Sequence, residues 1–188
     1  MSIVERFLDR AQSRPVESGE ITIEPMRKRH LRHILAIEVQ VYPKPWSVGV
    51  FHDELAQMRA GTRHYVVAKL DGVVVGYAGL ILITEEAHVS NVAVDPRYQR
   101  HGIGRRLMLA LCLAATKRDC GSMSLEVRVS NTGAQELYRS FGFVPAGIRK
   151  RYYENSVDAI VMWCHDVNTP AYAAQLATIS RSITDFRR

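Results

Sequence analysis

The segment VAVDPRYQRHGIGRRLM, residues 92–108, constrains the fold of this chain more than any other stretch. An apolar, strand-like run stops at Asp95-Pro96. A turn follows in which Gly102 and Gly104 sit among Arg100, His101, Arg105 and Arg106, and a helix then begins, with Leu107, Leu111 and Ala114 on one face. A helix that starts directly from such a turn exposes its first amides without partners, at the positive end of its dipole. Glycines let an anion approach that backbone, and the cations around it add to the attraction. The fragment lacks the GKS or GKT ending of a triphosphate loop and is not the GxGxxG dinucleotide pattern. An ordinary tight connection could use the same two glycines. The preceding strand and the four cations favour a site for a pyrophosphate.

The rest of the chain supplies a sheet to hold that turn. ITIEP (21–25) alternates as a strand does, and Leu31, Ile34, Leu35 and Val39 then recur at helical spacing. Pro43 and Pro45 make VYPKPWS a loop, and Ser47 can cap a helix carrying Val48, Phe51 and Leu55. HYVVAKL and VVVGYAGLILI, joined by Asp71-Gly72, form a hairpin, and EAHVSNVAV is a further strand. After the helix 103–118 come a strand over 123–129, a short helix stopped by Gly142, and an antiparallel pair, VPAGIRKRYY with VDAIVMWC. The pattern predicts an α/β (α+β) domain, a mixed sheet with helices on both faces. Residues 1–20 form an N-terminal extension, 21–165 the domain, and 166–188 a tail that ends as a peripheral helix.

Composition excludes several classes. The chain has 188 residues, 47% of them hydrophobic, enough for one full-sized core. No run is long enough for a membrane span, and MSIVERFLDRAQ is too charged for a secretory signal. The three cysteines, Cys112, Cys120 and Cys164, form no CxxC pair and lie in apolar segments, as buried free thiols in a reducing compartment do; a cytoplasmic protein without a metal site is expected. A net charge of +6 is spread thinly except at 97–106 and at IRKRYY, which reads better as a solvated strand end than as a nucleic-acid patch.

The turn also carries a resemblance. Gln99-Arg100-His101-Gly102-Ile103-Gly104 is similar to the (Q/R)xxGx(G/A) signature of the GNAT acyltransferase superfamily. YAGL (77–80), NVAVDP (91–96), LEVRVSN (125–131), LY (137–138), GF (142–143), RYY (151–153) and DAIVM (158–162) resemble its RimI group, N-terminal acetyltransferases of a small-subunit ribosomal protein. The resemblance spans about residues 20 to 165. It implies a mostly antiparallel mixed sheet whose two central strands splay to admit acetyl-CoA. The pyrophosphate would rest on the amides of Arg100, His101, Gly102, Ile103, Gly104 and Arg105. Val92, Ala93 and Val94 would offer a free strand edge to the pantetheine, and Asn131 would contact the cofactor while capping a helix.

The resemblance assigns the general base to Glu126 and the general acid to Tyr138. Alternation alone leaves both open. Glu126 and Arg128 face away from Leu125, Val127 and Val129, so Glu126 is a surface carboxylate if that side is solvent. Tyr138 equally suits a half-buried helix position. His88 and the other histidines show no triad partner by spacing, and Cys112 lies mid-helix in an apolar stripe, so direct transfer is expected over an acetyl-cysteine route. Tyr42, Trp46, Tyr152 and Tyr153 would frame the acceptor slot by resemblance. Their alternative is structural, with Trp46 as a hydrophobic staple and the tyrosines as strand residues. Pro43-Lys44 departs from the group's approach to PWS, and a cation there disfavours a basic acceptor peptide. Besides a protein α-amine, two readings stand: a small-molecule amine or lysine as acceptor, and a non-catalytic CoA-sensing or RNA-associated module. A binder would need the glycine turn but not an acid and a base.

Overall fold

In the computed structural model, which describes residues 19–185, the apolar run at Val73–Ile83 (β3) is covered on both faces. With its neighbour β2 (Arg63–Leu70) it sends Tyr65, Val67, Val74 and Tyr77 to one side and Val66, Ala68, Val75, Ala78 and Leu80 to the other. Consecutive buried residues are what a two-sided sheet requires. Asp71 and Gly72 join the two strands with φ of 48° and 85°, the paired left-handed conformation of a tight hairpin turn.

Five more strands complete the sheet: β1 (Ile21–Pro25), β4 (Glu86–Val94), β5 (Ser122–Arg128), β6 (Val144–Tyr153) and β7 (Val157–His165). The order is β1-β2-β3-β4-β5-β7-β6. All pairings are antiparallel except β4 with β5. That parallel ladder runs only from Glu86↔Ser122 to Val89↔Leu125, while β4 continues to Val94 and β5 to Arg128. The sheet therefore opens at its centre, as the resemblance implies.

Helices α1 (Leu31–Val41) and α2 (Val48–Arg59) cover one face, burying Ile34, Ile37, Phe51 and Leu55. Helices α3 (Ile103–Lys117), α4 (Thr132–Arg139) and α5 (Pro170–Asp185) share the other core, with Leu107, Leu111, Phe141 and Leu176 at its centre. Ser47 caps α2, its Oγ accepting from Val50 N at 3.4 Å, and Asn131 Oδ1 caps α4 through Ala134 N at 3.1 Å.

Several positions differ from the sequence reading. Val39 is 66% exposed, and the inward places on α1 belong to Ile37 and Glu38. Val48, in the first turn of α2, faces solvent, and Ala115 replaces Ala114 on the buried face of α3. Val129 falls just beyond β5 and is exposed. The tail helix α5 is less peripheral than expected, since Tyr172, Leu176 and Ile179 are buried in the main core. The extension expected over 1–20 lies, up to residue 18, outside the described residues. Cys112, Cys120 and Cys164 are free and buried.

Candidate active site

The glycine turn has the geometry of an anion site. Asp95 ends β4 and caps the 3-10 turn Pro96–Tyr98, accepting from Arg97 N at 3.0 Å. The same carboxylate holds the Arg97 guanidinium at 3.1 and 2.7 Å, which withdraws that cation from the turn. Arg100 and Gly102 then take φ of 66° and 71°. A Cβ at Gly102 would stand 2.9 Å from Arg106 Nη1 on a backbone that L side chains rarely adopt, so glycine is strongly favoured there. At Gly104 a Cβ would meet Leu137 Cδ2 at 3.4 Å, so this glycine keeps the floor clear and imposes no special conformation. Arg106 N donates back to Gly102 O at 3.1 Å, while the amides of Ile103, Gly104 and Arg105 precede the first helical acceptor.

Two of the cations line the groove beside the turn and are tied across it to α5. Arg105 Nη2 donates to Ser182 Oγ at 3.2 Å, and Arg106 Nη2 to Ile183 O at 3.2 Å, so both lean toward the end of α5. His101 stays exposed and donates from Nδ1 to Gln99 O at 2.8 Å. The turn floors a groove of about 1310 Å³ that runs past Val94 and Val92 to Asn131 and Tyr138. Ala93 is on the same strand, but its side chain is buried in the opposite core.

A second cavity, of about 440 Å³, meets the groove where Val41, Val92, Asn131 and Tyr138 line both. Tyr138 is buried, and that burial pushes its phenol above the ordinary tyrosine range, with Tyr153 adding to the shift. It is a protonated hydroxyl at the junction. All four residues expected to frame the acceptor slot line this cavity. Tyr42 OH donates to Val92 O at 3.5 Å, which ties the loop to the splayed strand. Trp46 packs on Phe51 with ring centroids 5.5 Å apart, the staple across the start of α2. It is thus a staple that also lines the cavity.

Tyr153 OH donates to Glu126 O at 3.1 Å, and its ring lies 4.2 Å from the Arg128 guanidinium carbon. Tyr152 is 45% exposed and stands edge-on to Tyr153 at 5.0 Å. Burial raises both phenols, that of Tyr153 to about 12. Lys44 also lines the slot, as does Glu154, which is held below the ordinary carboxylate value by Arg128 and then by Lys44.

Glu126 lines the slot from β5, and its side chain is only 8% exposed. Its Oε1 is 2.9 Å from Arg149 Nη1 and its Oε2 is 3.2 Å from His88 Nε2. The other ring nitrogen of His88 lies 3.0 Å from Ser124 Oγ. Burial holds His88 below the ordinary histidine value; Glu126 opposes that shift and Arg149 adds to it. A buried carboxylate fixed at both oxygens and facing a cavity can accept a proton from a bound amine.

Sequence spacing misses this cluster. His88 lies 38 positions from Glu126 in the chain, and only the parallel register, which sets His88 opposite Ser124, brings them together. Glu38 is also missed. It is fully buried, accepts from Tyr77 OH, and accepts from Trp46 N at 2.6 Å, thereby anchoring the loop that frames the slot. A charged residue on the apolar stripe of α1 is the signal that could have found it.

A groove floored by a turn with the geometry of an anion site, meeting a slot lined by a buried carboxylate and a protonated phenol, has the architecture of a group-transfer enzyme. Residues 31–143 match the acetyltransferase (GNAT) family, and the chain belongs to it. It is 38% identical over 153 residues to the N-alpha-acetyltransferase RimI of Mycobacterium tuberculosis, covering 78% of this chain and 93% of that one. It is 35% identical over 146 residues to the [ribosomal protein bS18]-alanine N-acetyltransferase of Escherichia coli (strain K12), covering 75% and 95%. The crystal structure of the ribosomal-protein-S18-alanine N-acetyltransferase from Escherichia coli superposes with a TM-score of 0.70 at 33% identity, over 78% of this chain and 94% of that one.

Proposed function

We propose that this acetyltransferase moves an acetyl group from acetyl-CoA directly to the N-terminal α-amine of a protein, with the N-terminal alanine of a small-subunit ribosomal protein as its substrate class. The observation that carries the reading is the meeting of the two cavities at Val92, Asn131 and Tyr138, with Glu126 on the acceptor side. Acetyl-CoA suits the groove: the stretch of β4 beyond Val89, open on its β5 side, offers backbone partners to the pantetheine, and the positive-φ turn offers amides to the pyrophosphate.

Within that reading Glu126 takes a proton from the incoming ammonium, which has an ordinary pKa near 8 and is mostly charged at neutral pH. The freed lone pair forms the new C–N bond as the C–S bond breaks, and the second proton this nitrogen then sheds restores the Tyr138 hydroxyl after it has protonated the leaving group. An amide on the open edge of β4 stabilises charge on the carbonyl oxygen, and the Tyr138 hydroxyl supplies a proton to the departing thiolate. Cys112, buried in the core and pushed up to about 12 by that burial, takes no covalent part.

The experiment is a panel of acceptors with acetyl-CoA: peptides beginning with free alanine, the same peptides blocked at the N-terminus but carrying lysine, and polyamines. Acetylation of the free alanine peptides at least about tenfold faster in kcat/KM supports the reading, a difference of about 1.4 kcal/mol. Preference for the blocked lysine peptides or the polyamines defeats it.

A further inference from the structure

We infer that His88 is the exit for the proton that Glu126 removes from the acceptor amine, an inference that rests on the reading of Glu126 as base. A carboxylate that is 8% exposed becomes a carboxylic acid in every cycle and must discharge before the next. Among the described residues, two side chains form ion pairs with it: Arg149 at Oε1 and His88 at Oε2. A guanidinium has no acceptor capacity, whereas a neutral imidazole can take a proton. Burial keeps His88 neutral at physiological pH, and the charged groups facing it, Glu126 from β5 and Arg149 from β6, act on it in opposite directions.

The placement also suits a conduit. Glu126 lines the acceptor slot, while His88 and Ser124 are not among its lining residues. The His88 side chain is 27% exposed, more open than the carboxylate it touches. The parallel pairing of β4 and β5 holds His88 opposite Ser124, with Glu126 two residues on and on the same face of the strand. The steps balance. The ammonium gives its proton to a Glu126 oxygen, and the acid so formed passes a proton from Oε2 to His88 Nε2 across 3.2 Å. The resulting imidazolium releases its Nδ1 proton to solvent by way of Ser124 Oγ, 3.0 Å away. Both groups return to their starting charge, and exchange of the ring protons with solvent, to which His88 is 27% exposed, returns the imidazole to the Nδ1–H tautomer with Nε2 free to accept. His88 is thus a positioning residue that acts through Glu126.

The test compares His88→Ala, His88→Gln and Glu126→Gln with the parent enzyme, using an alanine-beginning peptide, acetyl-CoA and increasing imidazole. Both His88 variants should lose about tenfold or more in kcat with the KM for acetyl-CoA unchanged. Imidazole should restore rate to His88→Ala, and the acid limb of the kcat profile should change shape. Glutamine can hold Glu126 in place but cannot relay a proton, so full activity in His88→Gln overturns the relay. A slow His88→Ala variant that melts as the parent does but ignores imidazole overturns it too. If Glu126→Gln is slow and His88→Ala is not, only the relay falls. If Glu126→Gln matches the parent, the base reading itself fails.

Discussion

Tyr138 touches both cavities, so it is the residue where the acid role is easiest to isolate. Tyr138→Phe keeps the ring that packs near Phe143 and removes only the proton donor. The expected result is a fall in kcat of about 10² to 10⁴ with little change in acetyl-CoA affinity, read by steady-state kinetics and calorimetry. A parental kcat would make Tyr138 a packing residue. Glu126→Gln should lower kcat/KM for an alanine-beginning peptide by about 10² or more, and raising the pH should partly restore it as more of the α-amine, of pKa about 8, becomes neutral. Thermal stability measured alongside separates this from a fold defect. A structural carboxylate would instead lower stability and show no alkaline rescue.

At the scale of elements, the turn before α3 and the loop before α2 set the two halves of the site. Gly102→Val forces a β-branched side chain onto a φ of 71° and against Arg106, so the acetyl-CoA Kd should rise by about tenfold or more, read by titration. An unchanged Kd would place the anion elsewhere. Glu38→Ala leaves Tyr77 OH and Trp46 N without their buried acceptor, at about 1–3 kcal/mol for each orphaned group. The loop should loosen, and the peptide KM should rise more than the acetyl-CoA KM. These two elements also mark how far the sequence could be read. The turn is local: strand, glycines, cations and helix are contiguous, so its place between strand and helix was legible, as were the hairpin at Asp71-Gly72 and the caps at Ser47 and Asn131. Glu126 and Tyr138 came from resemblance, because alternation and helical spacing leave each with a bland explanation. His88, Arg149 and Glu38 were not legible. Their partners come from other strands and helices, and no spacing rule reports a pairing set by sheet order or by the packing of a helix on a sheet. Arg105 stands at the groove, as its local sequence suggests, but its partner on α5 was not legible.

For the whole molecule, burial holds His30, His64 and His88 below the ordinary histidine value of 6.5. As pH falls through that value, the unfolded chain gains protons that the native state does not, so stability is lost on acidification and is retained above it. Calorimetry should find a lower Tm at pH 5.5 than at pH 7.5, and His64→Gln should flatten the difference; a higher Tm at pH 5.5 would contradict this. The proposed function has the two cavities, which share Val92, Asn131 and Tyr138, hold cofactor and acceptor together. Its most direct test is the affinity of a conjugate in which CoA is joined through an acetyl bridge to the α-amine of an alanine-beginning peptide. Filling both cavities at once, it should bind at least about 100-fold more tightly than CoA or the free peptide, and far more tightly than a conjugate joined through a lysine side chain. A conjugate that binds no better than CoA alone would contradict the account.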